Sequence, residues 1–439
     1  MKPVIRLRAL LPLAMAWAGS ASAANLGDLL TLARENDAQY AAAREAAAAG
    51  AEKAVQGRAG LLPTVGLTGN LRTNEERSNS YSGTRDYSSS GATLQASQPL
   101  YRPANWAAAR QGELQSDLAA QQLRIAEQEL LLRVSKGYFE VLQAQDAMQT
   151  LRMQKDSFSQ QLEQATKSLE VGVVPITDVN EAKSRYDLTV AQEVAAMNDL
   201  EVKRRMLEKS IDTALPPLAT LGSEAGIDLL PADQVRQWVD RAPDDSLQVT
   251  AATLSRDIAE REVALREAGH QPTLDLVASL GDNRNANFAT QGRNNLRQAS
   301  IGLELSIPLY QGGAVSSRAR EAAANLRRAE RELDEARRQA RLDARQALLG
   351  VQSGLALTRA LTQAERSGQT QLLSTRRGLE VGLRNRVDVL NAEQQLYATR
   401  RDLSAARYQT LISGLQLKAA AGVLNDTDLR ALDALLTTP

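Results

Sequence analysis

The segment LEVGVVPITDV, residues 169–179, returns in altered form as LEVGLRNRVDV, residues 379–389. Each copy stands between two very long stretches with the composition of helices, and each is interpreted as a short turn between them. A turn that occurs twice in the same setting indicates that the flanking sequence is repeated as well.

Two further pairs of segments have nearly the same spacing. SQPLY at 97–101 returns as SIPLY at 306–310, and LLPTVGL at 61–67 returns as HQPTLDL at 270–276. The chain is therefore predicted to contain two copies of a unit of about 200 residues. Each copy has the same order of elements: a helix, two short strands, a very long helix, the turn and a return helix.

The long helices are the clearest elements, because no proline occurs between Pro103 and Pro175 or between Pro308 and Pro439. Residues 105–169 are predicted to form one helix near 100 Å long, at about 1.5 Å per residue. Apolar residues recur in it every seven positions, as in Leu118, Ile125, Leu132 and Phe139. This pattern is typical of coiled-coil packing. A free two-stranded coiled coil fits the same stretch equally well.

Four segments alternate apolar and polar residues instead: 63–73, 91–100, 272–282 and 299–308. Period two gives a strand one apolar face, and each segment is near the roughly 9 to 11 residues of a tilted membrane-crossing strand. Tyr101 and Tyr310 are predicted to end their strands, where an interfacial aromatic side chain would lie. The polar segments 74–90 and 283–298 are predicted to be water-exposed loops.

Four strands cannot close a barrel in lipid, because the smallest membrane barrels have about eight and open edges are not tolerated. Several copies must therefore share one barrel. Three copies would give twelve strands, and a dimer with eight is also allowed. Alternation alone also allows a soluble sandwich in which the polar segments are surface loops.

Residues 1–23 have the three parts of a secretory signal: a basic start, an apolar run and the small-residue site Ala21-Ser22-Ala23. The mature chain is therefore expected to be exported. The sequence has no cysteine, which excludes disulfides, thiol catalysis and thiolate metal sites. Its formal net charge is zero, so no nucleic-acid partner is expected.

The expected organisation, in chain order, is a signal peptide over 1–23, a first repeat over 24–213, a linker over 214–245, a second repeat over 246–423 and a C-terminal tail over 424–439. The turns lie at 171–178 and 381–388. The linker is assigned because it is rich in proline and breaks the helical pattern.

Six segments, in this order, carry a resemblance over essentially the whole mature chain: LLPTVGL, SQPLYRPANW, YFEVLQAQDA, VGVVPITDVNEAKSRYD, SIPLYQGG and VGLRNRVDVLNAEQQLY. Together they resemble the TolC family of outer-membrane exit ducts. The resemblance implies an α+β fold, assembled as a homotrimer. A shared twelve-strand barrel in the outer membrane would continue as a long coiled-coil α-helical barrel across the periplasm of a Gram-negative bacterium.

The same resemblance implies a duct of a tripartite efflux or type I secretion system. Such a duct passes drugs, other small molecules or unfolded protein outward from an inner-membrane pump, either ABC-type or proton-driven. A periplasmic adaptor, or membrane fusion protein, joins duct and pump, and partner contact opens the periplasmic entrance. Ducts of this kind catalyse no reaction and need no cofactor.

The resemblance also implies roles for individual residues of the two turns. Gly172 and Gly382 would mark the periplasmic tips where the long helices fold back. Arg384 matches the arginine that closes the entrance, while Thr177 and Asp178 match its partners on the other hairpin. These three residues would form an entrance latch.

Three further positions near the second turn bear on gating and selectivity. Leu379 stands where the family has a tyrosine that adds a second link to the latch. Asp388 matches one of two acidic rings at the constriction, but Asn391 replaces the second acid, so weaker cation selectivity than that of a two-ring duct is expected. Asp388 also has the position of an acid that stabilises a helix N-terminus.

From the residues alone, a different class of protein stays open. An exported structural coiled-coil or adaptor protein without a pore would place the strands in a soluble domain. An enzyme is not expected, because no convergent acid, base and nucleophile can be proposed. The single histidine, His270, makes neither a metal site nor a catalytic triad on its own.

Overall fold

The computed structural model describes residues 23–77, 84–222, 232–287 and 292–437. Its main helices and strands are, in chain order, α1 Leu26–Asn36, α2 Ala38–Ala59, β1 Thr64–Arg77, β2 Thr84–Tyr101, α3 Pro103–Glu170, α4 Ile176–Ile211, β3 Thr220–Leu221, α5 Ala232–Asp245, α6 Leu247–Glu267, β4 Thr273–Asn287, β5 Gly292–Ser306, α7 Ala314–Glu380, α8 Arg386–Ala420, α9 Asp426–Asp433 and β6 Leu436–Thr437. The predicted signal peptide lies outside the described residues, except for Ala23.

The two long helices have almost equal lengths: α3 has 68 residues and α7 has 67. At about 1.5 Å per residue each is a rod of roughly 100 Å. Helix α3 packs against α4 to form the first hairpin, and α7 packs against α8 to form the second hairpin. Of the helices in the described residues, none has an apolar stretch long enough to cross a membrane.

The long helices begin directly after the strands, and each start has a local cause. Pro103 is the first residue of α3, where its missing N–H would have no helical partner and its fixed φ suits the helix. Before α7, Gly312 and Gly313 have φ values of 62° and 79°. Glycine adopts this left-handed conformation at little cost, so the pair bends the chain from the strand into the helix.

The strands form one antiparallel sheet in the order β1-β2-β4-β5. Strand β2 pairs with β1 on one side and β4 on the other, and β5 pairs with β4. Within the described part of one subunit, β1 and β5 are therefore edge strands. Open edges leave backbone groups unpaired, so this sheet needs neighbouring strands to be complete in lipid.

The strands are longer at the far end of the sheet than predicted. The segments predicted at 63–73, 91–100, 272–282 and 299–308 are observed as β1, β2, β4 and β5. Much of each segment expected to be loop is strand instead, and only residues 78–83 and 288–291 of those segments lie outside the described residues. Ladder hydrogen bonds join backbone groups, so strands continue through polar residues that give no alternating signal.

The two predicted interfacial tyrosines differ in position. Tyr101 is the last residue of β2, and its ring stacks edge-on against Trp106 with 5.8 Å between centroids. Tyr310 does not end a strand: β5 stops at Ser306, and the Tyr310 side chain is 88% exposed. The prediction that Tyr310 ends its strand is wrong, because β5 ends before Pro308, which has no N–H to donate to the ladder.

A compact core surrounds the middle of the rod. Tyr138 and Phe139 of α3 are fully buried there among residues of α1, α4, α8 and α9. The linker and the tail meet at this level, because β3 pairs with β6. Asp433 of α9 accepts hydrogen bonds from the backbone N–H groups of Leu26 at 2.8 Å and Gly27 at 3.1 Å. The segment predicted as a C-terminal tail is thus a structured part of this core.

Candidate functional site at the hairpin tips

The first hairpin folds back through a helix end closed by glycine. Gly172 has φ 73°, its N–H donates to Leu169 at 2.9 Å, and the N–H of Val173 donates to Ser168 at 2.8 Å. This pattern satisfies carbonyl groups that the end of α3 would otherwise leave unpaired. Pro175 is the N-cap of α4 and makes no side-chain cap hydrogen bond.

The second hairpin ends its long helix in the same way. Gly382 has φ 76°, its N–H donates to Leu379 at 3.1 Å, and the N–H of Leu383 donates to Gly378 at 2.8 Å. The duplicated sequence motif therefore folds into the same backbone turn twice.

The return helix α8, unlike α4, begins with a complete capping box. Asn385 Oδ1 accepts from the Asp388 N–H at 2.8 Å, and Asp388 Oδ2 accepts from the Asn385 N–H at 3.2 Å. The structure thus uses Asp388 as a helix N-terminal acid, which is the second of the two roles expected from the sequence.

Arg384 lies at the exposed end of the second hairpin. Its aliphatic stem crosses Gly378, where an added Cβ would come within 2.7 Å of Arg384 Cγ. The side chain is 62% exposed, and its guanidinium Nη1 is 3.9 Å from Asp388 Oδ2, at the limit of an ion pair. Most of the guanidinium is therefore open to a partner outside its own hairpin.

Thr177 and Asp178, the predicted partners of Arg384, occupy the first turn of α4. Thr177 is exposed and Asp178 is half-buried. Among the contacts of the described residues of one subunit, no hydrogen bond or ion pair joins either of them to Arg384. The structure brings Arg384 close to Asp388, while Thr177 and Asp178, its predicted partners, lie on the other tip.

Asn391 faces the first hairpin. Its Oδ1 accepts from Arg185 Nη2 of α4 at 2.9 Å, and the same guanidinium reaches Gln394. Glu181 pairs with Arg185 at 2.9 Å from the preceding turn of α4. The position predicted to lack the second acid of a selectivity ring therefore carries a neutral amide that accepts a hydrogen bond from a cationic arginine of α4.

Both tips expose apolar side chains. Those exposed at the first tip are Val171, Val173 and Ile176, and those at the second tip are Val381 and Leu383. Leu383 is 82% exposed. Apolar residues grouped at the end of a rod are typical of a contact surface for another protein.

A buried carboxylate deeper in the second hairpin was not found from the sequence. Glu393 of α8 is 1% exposed, and its oxygens accept hydrogen bonds from Ser157 Oγ at 2.7 Å, from Gln161 and from Arg376. Burial raises the pKa of the neighbouring Tyr397, and the Glu393 charge adds to that rise. The signal available in the sequence was an acid within the apolar stripe of α8.

A cavity of about 370 Å³ adjoins Glu393 between the two hairpins. It is lined on one side by Gln160, Gln161 and Gln164 of α3 and on the other by residues such as Leu379 and Arg386. Among the described residues, no group of three or more His, Cys, Asp or Glu side chains is arranged to hold a metal ion.

A family model described as outer membrane efflux protein matches this chain twice, over residues 29–212 and over residues 238–423. The two matches confirm the internal duplication, because each covers one predicted repeat.

Curated relatives are similar in sequence over nearly the whole chain. The outer membrane protein TolC of Vibrio cholerae serotype O1 is 33% identical over 435 residues, which is 98% of each chain. The outer membrane protein TolC of Escherichia coli strain K12 is 33% identical over 88% of this chain and 80% of that protein. The proteases secretion protein PrtF of Dickeya chrysanthemi is 32% identical over 95% and 92% of the two chains.

Solved structures have the same fold at lower sequence identity. CusC superposes with a TM-score of 0.80 at 17% identity, covering 91% of this chain and 92% of CusC. The outer membrane protein VceC of Vibrio cholerae has a TM-score of 0.77 at 18% identity, covering 90% of this chain and 96% of VceC.

Proposed function

Because this chain belongs to the outer membrane efflux protein family, we propose that its two hairpin tips form the regulated periplasmic entrance of a duct. The chain is an outer-membrane exit duct of efflux or type I secretion, it extends into the periplasm, and it is not an enzyme. The alternative of an exported coiled-coil protein without a pore is therefore set aside.

The duct is a homotrimer that shares one barrel. In the part of the chain that the structure describes, the main sheet of one subunit has four strands and two open edges, so three subunits supply twelve strands that can close with no open edge. Closure of the barrel removes the edges that lipid does not tolerate. The same symmetry brings six hairpin tips, two from each subunit, around one entrance.

The entrance is latched by Arg384 of one hairpin and by Thr177 and Asp178 of a neighbouring hairpin. The observation that carries this proposal is that, within the described residues of one subunit, neither Arg384 nor Asp178 has a close partner for its charged group. Arg384 approaches Asp388 only at 3.9 Å. No hydrogen bond or ion pair within the described residues of one subunit reaches the carboxylate of Asp178. A cation and an acid on adjacent tips would pair once subunits assemble.

The latch is weak enough to be opened by a partner. An exposed ion pair contributes about 0 to 1 kcal/mol, and threefold symmetry repeats that contribution. The closed state is then favoured overall, although each pair is easily exchanged for contacts with another protein.

The partner at the tips is a periplasmic adaptor that joins the duct to an inner-membrane pump. The exposed apolar residues of both tips, including Val173 and Leu383, support such a contact. The pump, ABC-type or proton-driven, selects the cargo, which is drugs and other small molecules in efflux or unfolded protein in secretion.

The test is the current through a planar lipid bilayer that contains the purified trimer. Wild type should give a small, steady conductance, and Arg384→Ser should raise it severalfold because the latch loses its cation. Arg401→Ser is the matched control, since Arg401 is a half-exposed arginine of α8 that pairs with the adjacent Asp402. Equal conductance in wild type and Arg384→Ser would contradict the latch, and a silent bilayer from folded trimers would contradict the pore.

A further inference from the structure

We infer that a cavity beside the middle of α3, where α4 ends and α2 begins, binds small apolar anions on the inner wall of the duct. The ligand class is a compound with an apolar body and one carboxylate or sulfonate group. This inference rests on the proposed function, because its ligand must travel through the duct, but it involves no residue of the latch.

The cavity is formed by the ends of two helices that both pack along α3. Helix α4 ends at Ile211, and α2 begins after its N-cap residue Asp37. The last turn of α4, the first residues of α2 and one face of α3 line a space of about 530 Å³. Sites for small ligands typically have about 300–1,000 Å³, so the cavity has room for one such molecule.

The cavity lies on the side of α3 that is opposite the compact core. Val134 and Tyr138 of α3 are fully buried in that core, together with residues of α1 and α9. At about 100° per residue, Arg133, Lys136 and Glu140 point in the other direction. Three copies of α1 and α9 would obstruct a passage if they lay inside it. The compact core is therefore on the outer side of the wall, and the cavity is on the inner side.

The two acids that line the cavity are already neutralised. Asp37 Oδ2 accepts from the Arg133 guanidinium at 2.8 Å. Glu140 Oε2 accepts from the Lys203 ammonium at 2.9 Å. Neither carboxylate is left to repel an anion that enters the cavity.

Two lysines at the rim of the cavity have free donors instead. Lys136 is 61% exposed and comes only within 3.8 Å of Glu140. Lys209, in the last turn of α4, is exposed, and within the part of the chain that the structure describes it makes no hydrogen bond or ion pair. An ammonium group has three donors, and its hydrogen bonds to anionic oxygens are stronger than those between neutral groups. The rim therefore favours a negatively charged group.

The rest of the lining includes an apolar surface. Leu207 of α4 is 2% exposed and closes the cavity towards α3, where Gly137 leaves room beside it. Met206 is 59% exposed at the same level. A methionine side chain adapts to apolar groups of different shape, and burial of apolar surface is favourable. Simple salt ions have no apolar surface to bury, so the cavity favours apolar anions over them.

The first experiment is isothermal titration calorimetry of the trimer in lipid nanodiscs, with the heats of empty nanodiscs subtracted. The probe is naphthalenesulfonate, and the wild type should bind one molecule per subunit. Lys136→Gln/Lys209→Gln removes both free cations and should weaken binding about tenfold. Lys53→Gln is the matched control, because Lys53 is an exposed lysine of α2 that does not line the cavity. Equal binding by the wild type and the double variant would overturn the inference.

Two further probes separate the charge from the apolar contact. Methanesulfonate has the charge without the rings, and naphthalenemethanol has the rings without the charge. Each should bind the wild type about tenfold or more weakly than naphthalenesulfonate does. If either binds as tightly as naphthalenesulfonate, the cavity does not recognise an apolar anion and the inference fails.

A chemical label locates the bound probe. The sequence has no cysteine, so Met206→Cys supplies one thiol per subunit. Naphthalenesulfonate should slow the reaction of this thiol with a maleimide. It should not slow the reaction in Arg124→Cys, because Arg124 is exposed on the side of α3 that faces the compact core. Equal slowing at both thiols, or none at Met206→Cys, would contradict the assignment of the site.

The conductance of the same trimers in planar bilayers separates this inference from the proposed function. Trimers that conduct but do not bind naphthalenesulfonate overturn the inference alone. Folded trimers that carry no current contradict the pore, and with it the passage that the ligand requires, even if the cavity binds the probe. A failure of Arg384→Ser to raise the conductance contradicts only the latch.

Discussion

The tip of the first hairpin and the tip of the second end their long helices with the same hydrogen bonds but begin their return helices differently. An acid stands three residues after the N-cap in both: Asp178 follows Pro175, and Asp388 follows Asn385. Asp388 accepts from the backbone N–H of its N-cap residue at 3.2 Å. Proline has no N–H to offer, so Asp178 has no such donor.

This difference would allow one duplicated motif to serve two functions if the proposed latch forms. The backbone of the turn is preserved because the chain must reverse at both tips. The N-cap residue of the return helix differs between the two tips. It determines whether the acid three residues later accepts a hydrogen bond from the backbone of its own helix. Asp388 stabilises its own helix, whereas Asp178 lacks such a bond, which is what the proposed latch with Arg384 requires.

The largest expected effect tests what the two tips share. Gly172→Ala and Gly382→Ala place a side chain at φ values of 73° and 76°, where the added Cβ meets no atom within 4 Å. The cost is therefore in the backbone, about 1–2 kcal/mol per site. Both variants should lower the apparent melting temperature of the trimer, followed by far-UV circular dichroism, to a similar extent.

Gly66→Ala is the control for this pair, because the added Cβ at Gly66 also meets open space and its φ is not positive. It should leave the melting temperature of the trimer unchanged. A large loss at one tip with none at the other would show that the two turns are not equivalent.

The features shared by the two repeats could be predicted from the sequence. Long proline-free stretches with a heptad stride predict α3 and α7, because helix periodicity is local and repeats over many turns. Paired motifs such as SQPLY and SIPLY predict the duplication. The strand ends could not be predicted as well, because β1, β2, β4 and β5 extend into polar residues that lack the alternation of apolar and polar side chains.

The features that distinguish the two repeats depend on tertiary contacts. Glu393 resembles other charged residues of α8 in the sequence, and its burial is explained only by the hydrogen bonds that Ser157 and Gln161 of α3 donate to it. The link between Arg185 and Asn391 likewise joins residues of different hairpins. Single-sequence patterns describe one helix face and do not show which partner covers it.

An intermediate effect tests the caps themselves. Asn385→Ala removes the side-chain acceptor at the start of α8 and should destabilise that helix end by about 1 kcal/mol. Pro175→Ala removes no side-chain cap at the start of α4. Hydrogen exchange of the first-turn amides should therefore accelerate at α8 in the first variant and change little at α4 in the second.

Asn385→Ser completes this comparison, because serine also caps helices well. It should restore most of the protection of α8. If Asn385→Ala and Pro175→Ala accelerate exchange equally, the capping box does not distinguish the tips.

The smallest expected effect on stability separates the two roles of Asp388. Asp388→Asn keeps an oxygen that can accept from the Asn385 N–H but removes the charge, which costs about 0.3–1 kcal/mol at a helix N-terminus. Asp388→Ala removes the acceptor as well, so it should be the less stable variant.

If the carboxylates form an acidic ring at the constriction, both variants should lose the same cation preference, measured as reversal potential in asymmetric salt. Asp402→Asn, at an exposed acid farther along α8, should keep the wild-type value. Unchanged reversal potentials in both Asp388 variants would leave Asp388 with the capping role alone, and the second tip would then differ from the first in structure but not in selectivity.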